Sequence, residues 1–154
     1  MGSTTVTAAA ATAPNLLDHL VGYHLRRASN VFQTDFAATL AGTGIRQALF
    51  AILSVVHDNP GINQGLVGKQ LGIQRANMVS LINELLDSAL VTRAISNEDR
   101  RAYQLSLTDA GRDTYVTCAA AIAAHEDVLL TNLSAAERAT LIALLVRIEG
   151  ADPS

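Results

Sequence analysis

NPGINQGLVGKQLGIQRANMVSLINELLDSALVTRAISNEDRRAYQLSLT, residues 59–108, changes its hydrophobic period part way along. Up to Ser88 the apolar residues recur at steps of three and four, the spacing of helices that bury one face. Asn59-Pro60-Gly61 is a strong breaker. Asn63 then suits the N-cap of a short helix ending near Leu71-Gly72. A second helix is predicted from about Gln74 to Ser88, with Met78, Val79, Leu81, Ile82, Leu85 and Leu86 turned inward. Leu90 to Ile95 and Ala102 to Leu107 read as two short strands. The polar run Ser96 to Arg101 between them makes a hairpin with a charged tip. Two helices joined by a few residues around Gly72 suit a helix-turn-helix, whose second helix offers its N-terminal residues to the DNA major groove.

The outward positions at that N-terminus are Gln74, Arg75, Asn77 and Ser80, with Gln64 at the start of the preceding helix. Such side chains hydrogen-bond base edges or phosphates, Arg matching guanine and Asn or Gln matching adenine. Arg100 and Arg101 on a narrow ribbon suit the minor groove, whose negative potential attracts guanidinium groups. Taken singly, the helix could be an ordinary surface helix and the tip an ordinary solvated turn. The ordered combination favours DNA binding.

Outward from this segment the chain is helical. Leu17, Leu20, Val21, His24, Leu25, Ala28, Val31 and Phe32 predict one long amphipathic helix opening at Pro14, with His24 on its buried stripe. Leu49, Phe50, Ile52, Leu53 and Val56 share a face of the next. After Thr108 the stripe Tyr115, Cys118, Ile122, His125, Leu129 and Leu133 marks a long helix. Ser134 and Glu137 form a capping box that starts the last one, with Leu141, Leu144, Leu145 and Ile148 as its apolar face. At 154 residues, with hydrophobic residues at 49% and aromatics at 4%, packed helices can build a core. The fold class is therefore mainly α with a small β-hairpin wing.

The formal net charge of −3 argues against a general polycation. Charge is uneven, however: residues 61–107 carry five Lys or Arg against four acids, and residues 108–154 carry three against seven. A protein that touches phosphate only with its middle has this distribution. Residues 1–14, uncharged and rich in Ser, Thr and Ala, are expected to be a disordered tail. A single cysteine excludes an intramolecular disulfide. With no signal-peptide pattern and no membrane-length apolar run, the expected compartment is the cytoplasm.

The wing sequence DRRAYQLSLT, Asp99 to Thr108, resembles the D-x-R-x-x-x-L-x-L-T signature of the MarR family of bacterial regulators. Asp109-Ala110-Gly111 continues that family's step into the next helix, and residues 59–93 resemble its helix-turn-helix throughout. The resemblance implies a homodimer with residues 15–42 and 108–150 as its helical dimerisation region and residues 43–107 as a winged helix-turn-helix. It further implies a pseudo-palindromic operator with half-sites about 34 Å apart, and repression as the default. Carried onto this chain, Gln74, Arg75, Ala76 and Asn77 fall on the recognition helix and Asn97, Arg100 and Arg101 on the wing. Asp99 falls on the position expected to orient a neighbouring Arg, and Arg93 is expected to serve the wing likewise. The family usually has Gly before its Leu-Val wing step, where this chain has Ala89. A left-handed turn there would cost roughly 1 kcal/mol.

Relatives in the family are commonly released from DNA by small anionic aromatic ligands. The expected effector is an aromatic acid or its thioester, with Tyr23, His24, Arg27 and Phe50 as candidate contacts. Two alternatives stay open: a winged-helix module for protein contacts, and a regulator that senses oxidants through Cys118. The thiol lies on an apolar stripe, where cysteine is usually inert. His19, His24, His57 and His125 are scattered, so no metal is expected. No phosphate loop, nucleophile elbow or H-E-x-x-H occurs, so neither enzymatic activity nor a cofactor is expected.

Overall fold

The computed structural model describes residues 15–95 and 103–150. The chain divides into two compact units, one ending at Thr34 and the other starting at Asp35.

In the first unit, the expectation of one unbroken helix from Pro14 fails. Leu16–His19 form a separate 3-10 turn, and α1 (Val21–Thr39) begins in this unit and ends in the second. Asn15 and Asp18 close the turn on themselves: Asn15 Oδ1 accepts from Leu17 N at 2.6 Å, and Asp18 Oδ2 accepts from Asn15 N at 3.0 Å. Short polar side chains that bond nearby backbone compete with helix propagation in this way. Leu20 is then extended, at φ −94° and ψ 110°. The buried stripe is corrected too. No α1 residue is buried within the chain, and His24 is exposed, its Nε2 lying 3.1 Å from the Asp18 carbonyl oxygen.

In the second unit, α2 (Gln47–Asp58) supplies Leu49, Ile52, Leu53, Val55 and Val56 to the core. After the turn at Asn59, β1 (Ile62–Asn63) leads into α3 (Gln64–Gln70), where Asn63 Oδ1 accepts from Gly65 N at 2.7 Å as the N-cap. Gly72, at φ +64°, turns the chain into α4 (Arg75–Asp87). That left-handed step suits glycine, and Ile73 N donates back to Gly68 O at 2.9 Å. Met78, Leu81, Ile82 and Leu85 of α4 pack inward, whereas Val79 is 44% exposed, against expectation. At about 100° per residue, position 79 falls roughly 110° from the centre of that stripe.

β2 (Val91–Ile95) and β3 (Tyr103–Leu107) form the antiparallel hairpin, with Val91 opposite Leu107 and Ile95 opposite Tyr103. β1 adds to the far edge of β3, pairing Ile62 with Leu105, so the sheet order is β1-β3-β2. Val91, Leu105 and Leu107 reach the core, while Ile95 and Tyr103 project beyond it. The expected tip, residues 96–101, lies outside the described residues. α5 (Asp109–Leu129) adds Cys118 to the core, and α6 (Ala135–Glu149) begins at the expected capping box. Ser134 Oγ accepts from Glu137 N at 3.3 Å, and Glu137 Oε2 accepts from Ser134 N at 2.8 Å. Within this single chain Leu141, Ile142, Leu144, Val146 and Ile148 of α6 remain exposed.

Candidate nucleic-acid interface

The N-terminal end of α4 is an open surface. Gln74, Arg75, Ala76, Asn77 and Ser80 are all exposed, while Met78, Leu81 and Ile82 anchor the same helix from behind. The helix is thus held by its core face and leaves its amide, hydroxyl and guanidinium groups free for an external partner.

Two recesses flank this end. On the wing side, a groove of about 530 Å³ runs between α3, α4 and the strands, lined by Gln64, Lys69, Arg75, Arg93 and Tyr103 among others. Arg93 lies 4.4 Å from the centroid of the Tyr103 ring, a cation–π contact that splints one wing strand to the other. Gln64 is half buried, and its Oε1 is closed to solvent without a hydrogen-bond partner among the described residues. On the opposite side, a recess of about 600 Å³ is lined by Arg46, Gln74, Asn77 and Ser80, with Ile73 and Leu81 beneath. Lys69, Tyr103 and Arg46 were not among the expected site residues. Lys69 and Arg46 carry the charge that phosphate recognition needs, but only the folded chain places them beside α4.

The back of α4 is held as firmly as its front is open. Ala89 N donates to Leu86 O at 2.9 Å and Leu90 N to Leu85 O at 3.0 Å, the paired bonds of a Schellman cap. Ala89 occupies the left-handed position, at φ +54°. The substitution for glycine noticed in the sequence therefore falls on a backbone that disfavours any side chain. Thr108 fastens this turn to α5. Its Oγ1 donates to Ala89 O at 2.7 Å and accepts from Gly111 N at 2.9 Å, while its own N–H donates to Leu90 O at 3.1 Å. A Cβ at Gly111 would lie 1.9 Å from Leu90 O, so only glycine fits there. The step from Thr108 to Gly111, noticed in the sequence, is the residue-level trace of this joint.

The candidate effector contacts fall as follows. Tyr23, His24 and Arg27 cluster in the first unit, with Tyr23 and His24 edge to face at 5.5 Å and the Arg27 guanidinium 5.6 Å from the Tyr23 ring centroid. Phe50, in the second unit, stacks on Tyr115 at 5.7 Å and meets Phe36 edge-on at 6.1 Å. His57 also stacks on Tyr115, at 4.2 Å. Cys118 is 1% exposed, and burial pushes its thiol up, against a smaller lowering by a hydrogen bond from Thr43. His57 pairs with Asp58 and His125 with Asp35. Among the described residues no three His, Cys, Asp or Glu side chains gather as a metal site would require. Asn97, Asp99, Arg100 and Arg101 lie outside the described residues.

A tight helix pair with an exposed recognition end, followed by a three-stranded wing, defines a winged helix-turn-helix transcriptional regulator. Known proteins agree. The sequence model of the MarR family matches residues 43–102. A putative transcriptional regulatory protein for the hcr operon of Thauera aromatica is 33% identical over 129 residues, covering 83% of this chain and 78% of its own length. The transcriptional repressor CouR, bound to a 23-mer DNA duplex, superposes with a TM-score of 0.82 at 36% identity, over 86% of this chain and 94% of that one. CouR bound to p-coumaroyl-CoA superposes with a TM-score of 0.78 at 33% identity, over 88% and 96% of the two chains. This chain belongs to the MarR family of transcriptional regulators. Among the described residues no helix is long and apolar enough to cross a membrane.

Proposed function

We propose that this protein is a ligand-responsive repressor, acting in the cytoplasm as a homodimer on a pseudo-palindromic DNA operator. The observation that carries the reading is the open end of α4, where Gln74, Arg75, Asn77 and Ser80 stand exposed on a helix pinned at its core face and its C-terminus. Its likeness to the DNA-bound repressor CouR supports the same reading.

In this proposal residues 43–107 form the DNA-binding domain and residues 15–42 and 108–150 the dimerisation region, while residues 1–14, expected as a tail, lie outside the described residues. Gln74, Arg75, Ala76, Asn77 and Ser80 enter the major groove, and Gln64 approaches from the start of α3. Asn97, Arg100 and Arg101 reach the minor groove, with Arg93 and Asp99 orienting the wing. The exposed apolar side chains of α6 supply dimer contacts, because so much unpartnered apolar surface favours association.

The effector is an aromatic acid or its thioester, a class supported by the p-coumaroyl-CoA complex of CouR. Arg27 is proposed to take its anionic group, Tyr23 and His24 to contact it with their rings, and Phe50 to serve as a further aromatic contact. Release from DNA then requires that the ligand prefer a conformation other than the DNA-ready one. The competing oxidant-sensing reading lacks an accessible thiolate, since Cys118 is buried and its thiol is held protonated.

The test is binding of the purified protein to duplex DNA from upstream of its own gene, with and without a panel of aromatic acids and acyl thioesters. Sequence-specific, salt-sensitive binding abolished by one ligand is expected. Arg75→Ala should weaken it and flatten the dependence of log affinity on log salt by about one unit. Binding that ignores sequence and survives Arg75→Ala would favour the protein-contact module instead.

A further inference from the structure

A helix lying in the major groove has the phosphate backbones of both strands beside it, about 12 Å apart across the groove. On the wing side of α4, Lys69, Arg75 and Arg93 line one groove, on the side where one backbone would run. On the other side, the only cation among the described lining residues is Arg46, which shares its recess with Gln74, Asn77 and Ser80. Arg46 stands at the N-cap of α2, yet its side chain makes no cap bond. It reaches across instead to pair with Glu84 of α4. Both side chains are open to water, at 55% and 40% exposure.

We propose that Arg46 is a phosphate contact for the DNA strand opposite the wing, and that Glu84 is an internal anion that holds the guanidinium until DNA displaces it. The inference rests on the reading that α4 enters the major groove. An exposed ion pair holds weakly, because water screens it and two long side chains must be ordered to form it. A backbone phosphodiester carries the same single charge as a carboxylate and offers the guanidinium a bidentate acceptor, and neutralising it releases condensed counterions, so the exchange favours DNA. Glu84, on the helix that meets the groove, opposes phosphate by its own charge and restrains binding to any duplex regardless of sequence. A phosphate contact carries no base information, so its loss acts equally on specific and non-specific DNA.

The experiment measures affinity for the upstream duplex and for a scrambled duplex across a salt series, for the wild type, Arg46→Met, Glu84→Gln and the double variant. Arg46→Met is expected to weaken both duplexes by a similar factor, about tenfold. It should also lower the magnitude of the salt slope by about 0.9 for each bound subunit. Glu84→Gln should tighten both, and the double variant should bind slightly tighter than Arg46→Met alone, because the repulsion between Glu84 and phosphate is removed while the Arg46 contact stays lost. Arg46→Lys, which keeps the charge and loses the fork, should retain the slope, so a folding defect in Arg46→Met leaves the idea testable. If Arg46→Met and Glu84→Gln weaken binding alike with an unchanged slope, the pair is only a brace and the proposal falls. If the wild type shows no salt-dependent duplex binding, the DNA-binding reading falls with it.

Discussion

Replacing Ala89 by glycine should stabilise the protein, although it removes a side-chain carbon and touches no core residue. Ala89 sits at φ +54° in the Schellman cap of α4, where its Cβ crowds the backbone. An L-residue in that region costs roughly 1–2 kcal/mol. Glycine removes the cost but also frees the unfolded chain, which takes back about 0.4–1 kcal/mol. Ala89 is exposed, so there is no burial to lose. Taking the middle of each range leaves a net gain of about 0.8 kcal/mol, or a rise in Tm of roughly 2–3 °C for a chain of this size. Thermal unfolding followed by circular dichroism, at matched protomer concentration, measures it. Concentration must be held because association couples to apparent stability. Ala89→Val is the control, since a β-branched residue at positive φ should destabilise by at least about 1 kcal/mol. A Tm for Ala89→Gly at or below that of the parent would refute the reasoning, because it would mean the turn stores no strain.

Gly111→Ala should prevent normal folding or lower Tm sharply, because its Cβ meets the Leu90 carbonyl group and neither backbone can yield without breaking the Thr108 joint; soluble yield and a melting curve report it. Glu137 is held below its ordinary value by hydrogen bonds from the Ser134 side chain and backbone, so its stabilising effect is present above the usual glutamate range near pH 4 and fades as pH falls through the lowered value. The difference in Tm between the parent and Glu137→Gln should accordingly shrink on acidification, and a constant difference from pH 7 to pH 3 would contradict it. Cys118, buried with its thiol pushed up, should react with a thiol reagent far more slowly in the native protein than in denaturant; equal rates would place the thiol at the surface.

Several elements were legible because they rest on short-range chemistry. Asn63 capping α3, Ser134 with Glu137 opening α6, and the helix break at Gly72 each depend on neighbours a few residues away. The exposed end of α4 was legible because one helical stripe, Met78 to Leu85, fixes which side chains must point out. Val79 was misplaced, since the edge of a stripe is set by what packs against it. β1 went unread: a two-residue strand has no period of its own and exists only because Leu105 and Gln104 lie beside it.

By itself the sequence determined the fold class, the order of helix pair and wing, and the residues offered at the recognition end, because periodicity, caps and breakers are local properties of the chain. It also flagged Ala89 as an oddity through the family pattern. Only the tertiary structure decided that Ala89 stands at positive φ, that Gly111 has no room for a Cβ, and that Arg46 lies beside Asn77 and Ser80 while held by Glu84. The last two facts join residues far apart along the chain. Such contacts form when the core packs and have no counterpart in local spacing.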